Sequence, residues 1–282
     1  MRRTDEICKA FSLQAAHYDK VSKIQQEIGE RLLERLMYLK IAPRYILDLG
    51  CGTGKMTKLI QKRYPNACVI GFDISHAMLV VAKKNQGYFK KYPLVAGDMM
   101  KLPFQTGIFD LVIGNQVLHW AEAIPGALKE LNRVMAVEGC LMFSTLGPDT
   151  FKELRTSWAN INDYAHVNAF WDMHDVGDAL VQAYFLDPVM DMELITVHYS
   201  DSKALLASLK AQGVKNIHEK RNPGLTGKGQ WQQFLQALAK NQLTSGEYPL
   251  TYEVVYGHAW KGAKQAGHLG QETVIPISAI KR

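Results

Sequence analysis

Apolar and polar positions along this 282-residue chain change rhythm twice. Over residues 4–40 the rhythm is helical: Leu32, Leu33, Leu36 and Leu39 recur near a 3.6-residue period, with Glu30, Arg31, Glu34 and Arg35 between them. Pro43 ends that region. From there short apolar runs alternate with amphipathic ones. Residues 45–49, 67–73, 93–96, 109–114 and 139–145 read as strands, the last opening after Gly139. Residues 54–63, a segment from Ser75 as N-cap to about Asn85, and 122–135 read as helices. This alternation predicts a mostly parallel sheet with helices on both faces. After Gly147-Pro148 the texture changes again. Residues 149–187 are rich in aromatics, His and Asp. Residues 203–212 and 230–240 read as helices around a Gly/Lys-rich loop at 223–229, residues 250–258 as a late strand, and the chain from Lys261 as a loose tail.

The strongest chemical signal lies where the first strand meets its helix, in Asp48-Leu49-Gly50-Cys51-Gly52-Thr53-Gly54. Glycines there let the backbone turn tightly and approach a ligand, and the free N–H groups of the following helix point at it. A phosphate-binding P-loop would need Gly at position 49 and Ser or Thr at 56; the chain has Leu49 and Met56. A dinucleotide fingerprint needs GxGxxG, and the spacing is GxGxG. Asp73 closes the second predicted strand, where an acid accepts hydrogen bonds from both ribose hydroxyls. Nicotinamide-dependent proteins share that trait, so Asp73 alone does not discriminate.

The GxGxG loop after Asp48 is similar to the first motif of Rossmann-like, class I methyltransferases. That resemblance implies S-adenosylmethionine as cofactor and S-adenosylhomocysteine as product. It implies a seven-stranded, mostly parallel sheet with helices on both faces and a helical lid insertion. The cofactor contacts would be Asp48, Gly50, Gly52 and Gly54 in the loop, and Asp73 and Ile74 at the ribose. Asp98 and Met99 would meet the adenine, and Asn115 and Gln116 the methionine end.

Composition narrows the setting. With 47% hydrophobic and only 21% charged residues, the chain holds enough apolar surface for a core and is not a disordered type. The formal charge of +6 suits an acidic partner without calling for nucleic acid. No apolar run approaches the ~20 residues of a membrane span, and Arg2-Arg3 is followed by polar Thr4, Asp5 and Glu6 rather than a signal-peptide core. A cytoplasmic protein is therefore expected. Cys8, Cys51, Cys68 and Cys140 lie far apart, with no zinc spacing. His166, Asp172, His174, Asp175 and Asp178 fit no familiar tetrahedral set, so no metal is expected. Asp172 or Asp175 instead reads as the N-cap of a helix over 176–185.

Nearly the whole chain, about residues 5–260, resembles the malonyl-[acyl-carrier-protein] O-methyltransferases of biotin synthesis. The residues that carry this are AAHYD (15–19), LHW (118–120), GPDTFKELR (147–155), HVNAFWDMHDVGDAL (166–180), DPVMDMEL (187–194), GLTGK (224–228) and TYEVVYGHAW (251–260). The resemblance implies one domain over 1–260: N-terminal helices (1–42), a cofactor-binding half (43–146) and a substrate and lid half (147–260), followed by a tail (261–282). It implies methylation of the free carboxylate of a malonyl thioester on acyl carrier protein. The ester hides the charge and primes elongation to pimeloyl thioester.

A malonyl carboxylate is already ionised at neutral pH, so a general base has no proton to remove. A cation to select and angle the carboxylate is expected instead, and Arg155 is the first candidate. Its alternative role is a helix-surface ion pair. Tyr18 is expected to cap the reactive centre, or else to serve as a core aromatic. His119 and His166 complete the acceptor candidates, and Phe170 and Trp171 are expected to line a lid over the pantetheine arm. Lys215, Lys220, Arg221 and Lys228 would form a basic rim for the acidic carrier; Lys83, Lys84, Lys90 and Lys91 form a second cluster. No nucleic acid or membrane partner is expected. Two rival readings share parts of the pattern: a methyltransferase acting on another small acceptor such as a quinone, and an arginine-hydroxylating assembly factor of respiratory complex I with a similar DTxxELR stretch.

Overall fold

The computed structural model describes residues 3–87, 91–213 and 216–263. Its first helical region is α1 (Arg3–Gln14), α2 (Tyr18–Val21) and α3 (Lys23–Arg35). There follow β1 (Tyr45–Leu49), α4 (Lys55–Arg63), β2 (Cys68–Asp73), α5 (His76–Asn85), β3 (Leu94–Ala96), β4 (Phe109–Asn115), α6 (Ile124–Val134) and β5 (Met135–Leu146). The second half holds α7 (Lys152–Trp158), α8 (Met173–Gln182), β6 (Phe185–Tyr199), α9 (Ser202–Ala211), α10 (Lys228–Ala239) and β7 (Tyr248–Lys261).

The strands form one seven-stranded sheet in the order β3-β2-β1-β4-β5-β7-β6. The first five are parallel, and β7 runs antiparallel to both β5 and β6. Period-two alternation divides two cores between the faces. Leu47, Leu49 and Val112 face one way, onto Leu128 and Leu131 of α6 and Leu180 of α8. Ile46, Leu111 and Ile113 face the other, onto Ile28 and Leu32 of α3 and Ile60 of α4. The buried set of α6 (Ile124, Ala127, Leu128, Leu131, Val134) is a helical stripe, and Pro125 in its first turn loses no helical hydrogen bond. Because β2 and β4 flank β1, the chain reverses direction across the sheet at β1. A crevice opens there beyond the C-terminal strand ends.

The elements differ from the sequence expectation in five places. Residues 4–40 form separate helices rather than one region, broken at residues 15–17 and at Ser22. Strand β5 starts at Met135, before Gly139, because it bulges: the register with β4 shifts between Phe109 and Leu111, and Glu138 takes a φ of 63°. A Cβ on Gly139 would lie 2.9 Å from the Phe109 carbonyl oxygen. Helix α7 lies in the aromatic-rich stretch, where the sequence offered a helix only as the alternative setting of Arg155. Strand β6 was not anticipated: it is an edge strand whose exposed positions include apolar Leu186, Val189, Met192 and Leu194, and these erase the polar contrast that a solvated face normally gives. Asp172 caps α8 by accepting from the His174 N–H at 2.8 Å, and the helix starts at Met173 rather than 176.

Buried Glu153 ties α7 to the sheet, accepting from the Thr251 backbone N–H at 3.0 Å and from its hydroxyl. Removing that carboxylate leaves a buried N–H unpaired, which costs about 1–3 kcal/mol. Urea unfolding of Glu153→Ala should show that loss, whereas Glu153→Gln, which keeps an acceptor oxygen, should retain most of the stability.

Candidate functional site: the cleft over the glycine loop

Past the C-terminal ends of β1, β2 and β4 lies one cleft lined by the glycine loop, the N-terminal helices and part of the second half. The loop's three glycines all have positive φ: 71° at Gly50, 53° at Gly52 and 80° at Gly54. They do so for different reasons. A Cβ on Gly50 would strike Val117 at 2.6 Å, and one on Gly54 would strike the Tyr92 hydroxyl. A Cβ on Gly52 would meet nothing within 4 Å, so the open space in front of it belongs to the cleft. Thus Gly50 and Gly54 are required by the protein's own packing, and Gly52 offers backbone to a ligand.

Asp73 holds this turn in place. One carboxylate oxygen accepts from the Gly52 N–H at 2.9 Å and the other from the Ser75 N–H at 2.8 Å. Burial pushes its pKa up, and these backbone donors oppose the rise. Asp48 lies deeper, nearly fully buried, and accepts from the Thr57 hydroxyl. Burial raises its pKa to about 7, partly offset by Thr57 and reinforced by the nearby Asp73 charge. Ile74, Asp98 and Met99 line the cleft beside Asp73, and Asp98 accepts from the Met100 N–H at 2.9 Å.

Asn115 and Gln116 close the end of β4. The Asn115 carboxamide accepts from Ser144 at 2.8 Å and donates to the Gln25 carbonyl at 2.8 Å. Gln116 sits at φ 52°, a left-handed conformation uncommon for a side-chain-bearing residue, held by its N–H donating to Ser144. Gly29 lets α3 approach, since a Cβ there would lie 2.9 Å from the Asn115 amide nitrogen.

The N-terminal helices cover the loop. Asp19 accepts from the Thr53 hydroxyl, and Lys55 donates to the Gln26 side chain at 3.0 Å. Ser12 and Ser75 hydroxyls lie 2.9 Å apart. Tyr18 lines the cleft beneath this cover, and burial together with the Asp73 and Asp19 charges pushes its hydroxyl pKa up, so it stays a protonated donor. His119 and Phe170 also line the cleft, with ring centroids 5.6 Å apart, and His119 Nδ1 lies 3.3 Å from the Thr145 hydroxyl.

The structure therefore brings to one cleft Tyr18, Asp48, Gly50, Gly52, Asp73, Ile74, Asp98, Met99, Asn115, Gln116 and His119. Gly54 shapes the turn without lining the cleft. Arg155 and His166, expected at the acceptor, are not among its lining residues. The Arg155 guanidinium donates to the carbonyls of Pro148 and Thr150, which fixes the turn that presents Phe151 to the cleft. His166 stacks on Trp158 at 3.7 Å and hydrogen-bonds Asn162 at 2.8 Å. Trp171 lies outside the cleft while Phe170 is in it. Lys220 and Lys228 are exposed, and Arg221 pairs with Glu6 of α1 at 2.9 Å; Lys90 and Lys215, like the tail beyond Ala263, lie outside the described residues. Among the described residues no group of three potential ligands forms a metal site, and no helix is long and apolar enough to cross a membrane.

Sequence reasoning missed Asp19, Gln25, Gln212 and Tyr252 as cleft residues. Asp19 carried a signal, being adjacent to Tyr18. Tyr252 lies within the TYEVVYGHAW segment but in a strand whose place at the cleft only folding sets, and Gln25 and Gln212 have no local motif.

Fold and site together define a Rossmann-like S-adenosylmethionine-dependent methyltransferase. Residues 47–143 match the methyltransferase-domain family model. The fold is shared with YcgJ of Bacillus subtilis (TM-score 0.59, 16% identity, 82% of this chain and 98% of that one). It is shared too with a methyltransferase of Thermotoga maritima (TM-score 0.54, 16% identity, 89% and 98%). The chain is 58% identical over 280 residues to malonyl-[acyl-carrier protein] O-methyltransferase of Legionella pneumophila, covering 99% of both chains. It is 43% identical to that of Gallionella capsiferriformans, covering 97% of this chain and 96% of the relative. It belongs to the malonyl-[acyl-carrier protein] O-methyltransferase family.

The pKa of Asp48 predicts proton linkage. With a pKa of about 7, its carboxyl is part protonated at neutral pH, and a cationic ligand in the cleft favours the carboxylate. Binding of S-adenosylmethionine should release protons and tighten from about pH 6 to about 8, then level off. Calorimetry in buffers of different ionisation enthalpy checks this, and Asp48→Asn should remove the pH dependence.

Proposed function

We propose that this enzyme transfers the methyl group of S-adenosylmethionine to the free carboxylate of a malonyl thioester on acyl carrier protein. The resulting methyl ester lacks the charge and enters chain elongation as a primer toward pimeloyl thioester for biotin. The observation that carries this reading is the extent of the relatedness. The general methyltransferase model stops at residue 143, whereas the 58% identity continues through the second half that supplies Phe151, Asn168, Phe170, Gln212 and Tyr252 to the cleft.

The bound cofactor supplies a sulfonium whose methyl carbon is already activated. The protein's task is alignment and exclusion of water, and orientation of this kind is worth about 7–11 kcal/mol of barrier. Asp73 and the Gly52 backbone would hold the ribose side, Asp98 and Met99 the adenine, and Asn115 and Gln116 the methionine end. The carboxylate needs no base. Tyr18, a protonated hydroxyl, reaches the cleft as a neutral donor, which orients an anion without neutralising its nucleophilicity as a tight cation pair would; His119 lines the cleft beside Phe170. Arg155 acts one step back, by fixing the 147–151 turn. Leu225, almost wholly exposed between Lys220 and Lys228, gives the lid loop an apolar tip flanked by cations, which suits an acidic carrier.

Methyl transfer from labelled cofactor to malonyl-carrier protein, with acetyl-carrier protein as control, tests the assignment; label on neither, or equally on both, sinks it. Tyr18→Phe should lower kcat/KM about 10–100-fold, as loss of a hydrogen bond to a charged group does, with S-adenosylhomocysteine affinity unchanged. Asp73→Ala should instead weaken cofactor binding itself.

A further inference from the structure

A malonyl acceptor presents an anion, yet among the described residues the cleft offers it no free Lys or Arg. Lys55 is the one such residue in the described lining, and it is held by the Gln26 carboxamide at 3.0 Å and lies beside Asp19. The Arg155 guanidinium spends its donors on the Pro148 and Thr150 carbonyls. Recognition of the carboxylate therefore falls to neutral donors. Several of these are also spent within the protein: Thr53 on Asp19, Gln26 on Ser22, and Asn115 on the Gln25 carbonyl.

Gln212, the C-cap of α9, keeps its donor for the cleft. The residue is 4% exposed, and its Oε1 accepts from the Gln25 Nε2 at 2.9 Å and from the Tyr252 hydroxyl at 3.4 Å. With the oxygen engaged by two donors, the Nε2 end, which bonds to no described residue, is the one left to the cleft that Gln212 lines. The helix end that carries it is anchored on two sides. One turn earlier the Ser208 hydroxyl donates to the Tyr199 hydroxyl of β6 at 2.9 Å, and Tyr252 belongs to β7. Gly213 then turns at a φ of 73° against Ala10 and Gln14 of α1. Helix α2, which presents Tyr18 to the same cleft, packs against α9.

We propose that Gln212 is a specificity-determining residue of the acceptor site: its Nε2 donates to the free carboxylate of the malonyl thioester, next to the Tyr18 hydroxyl. A carboxylate offers only acceptors, so it satisfies this N–H and asks for no proton in return. Donation to the oxygen that does not attack leaves the lone pairs of the other for the methyl carbon. An acetyl thioester has nothing to place there and leaves the donor unpaired, which is how a buried polar group rejects an analogue that lacks its partner. Gln212 lies outside residues 47–143, which match the general methyltransferase model, whereas the residues assigned to the cofactor lie within that stretch. The inference rests on the malonyl reading and adds to it the group that reads the carboxylate.

Calorimetric titration of malonyl-pantetheine and of acetyl-pantetheine into the complex with S-adenosylhomocysteine tests it. The wild-type complex should prefer malonyl-pantetheine. Gln212→Glu keeps an oxygen for Gln25 and Tyr252 but replaces the free donor with a second acceptor. It should weaken malonyl-pantetheine about 100-fold or more, with acetyl-pantetheine and S-adenosylhomocysteine affinities unchanged. Gln212→Met, which removes the donor without adding charge, should weaken malonyl-pantetheine about 10-fold. It decides the question if the Glu variant does not fold. With the wild-type preference intact, equal loss of both thioesters, a parallel loss of S-adenosylhomocysteine affinity, or no change for malonyl-pantetheine overturns the role of Gln212. A wild-type complex that shows no preference for malonyl-pantetheine sinks the malonyl reading itself, and the inference with it.

Discussion

A carboxylate that satisfies backbone N–H groups on two sides holds the functional centre together. Asp73, at the end of β2, accepts from Gly52 in the loop after β1 and from Ser75 at the start of α5. These groups belong to two successive strand-to-helix turns, so one side chain fixes both at the same edge of the sheet. Burial makes its charge expensive, and only the backbone donors offset that cost. The left-handed glycine turn, the cover formed by the N-terminal helices and the space in front of Gly52 all take their positions from this arrangement.

Around that centre the protein uses neutral polar groups more than charges. The chain from Ser144 through Asn115 to Gln25, Gln212 and Tyr252 consists of hydroxyls and amides. Such networks hold geometry without adding to the charge that Asp48, Asp73 and Asp98 already bring to the cleft. Away from the cleft, ion pairs of Arg31 with Glu193, Arg35 with Asp191 and Arg221 with Glu6 pin helices to the sheet and the second half to α1.

The fold's two halves are read from sequence with different ease for a physical reason. Buried parallel strands such as β1 and β4 are near-continuous apolar runs ended by glycine or polar residues, a local signal that survives without knowledge of neighbours. The edge strand β6 is obscured because apolar Leu186, Val189, Met192 and Leu194 stand on its exposed side, and α7 begins at a left-handed Phe151 that no local propensity favours. Both elements are stabilised by what they meet in space.

The same division applies to the site. Sequence determined the glycine turn, Asp73, Asp98 and the polar pair after β4, because each lies within a few residues of a strand end and its chemistry is local. It also made Arg155 and His166 attractive, since residue type and neighbourhood were all that could be weighed. Tertiary structure alone decided that Arg155 spends its donors on two loop carbonyls and that His166 stacks on Trp158. It alone brought Gln25 of α3 to Gln212, 187 residues away, leaving one buried oxygen unpaired. A hydrogen bond's partner depends on which surfaces the sheet and helices press together, and that is set by packing across the whole chain.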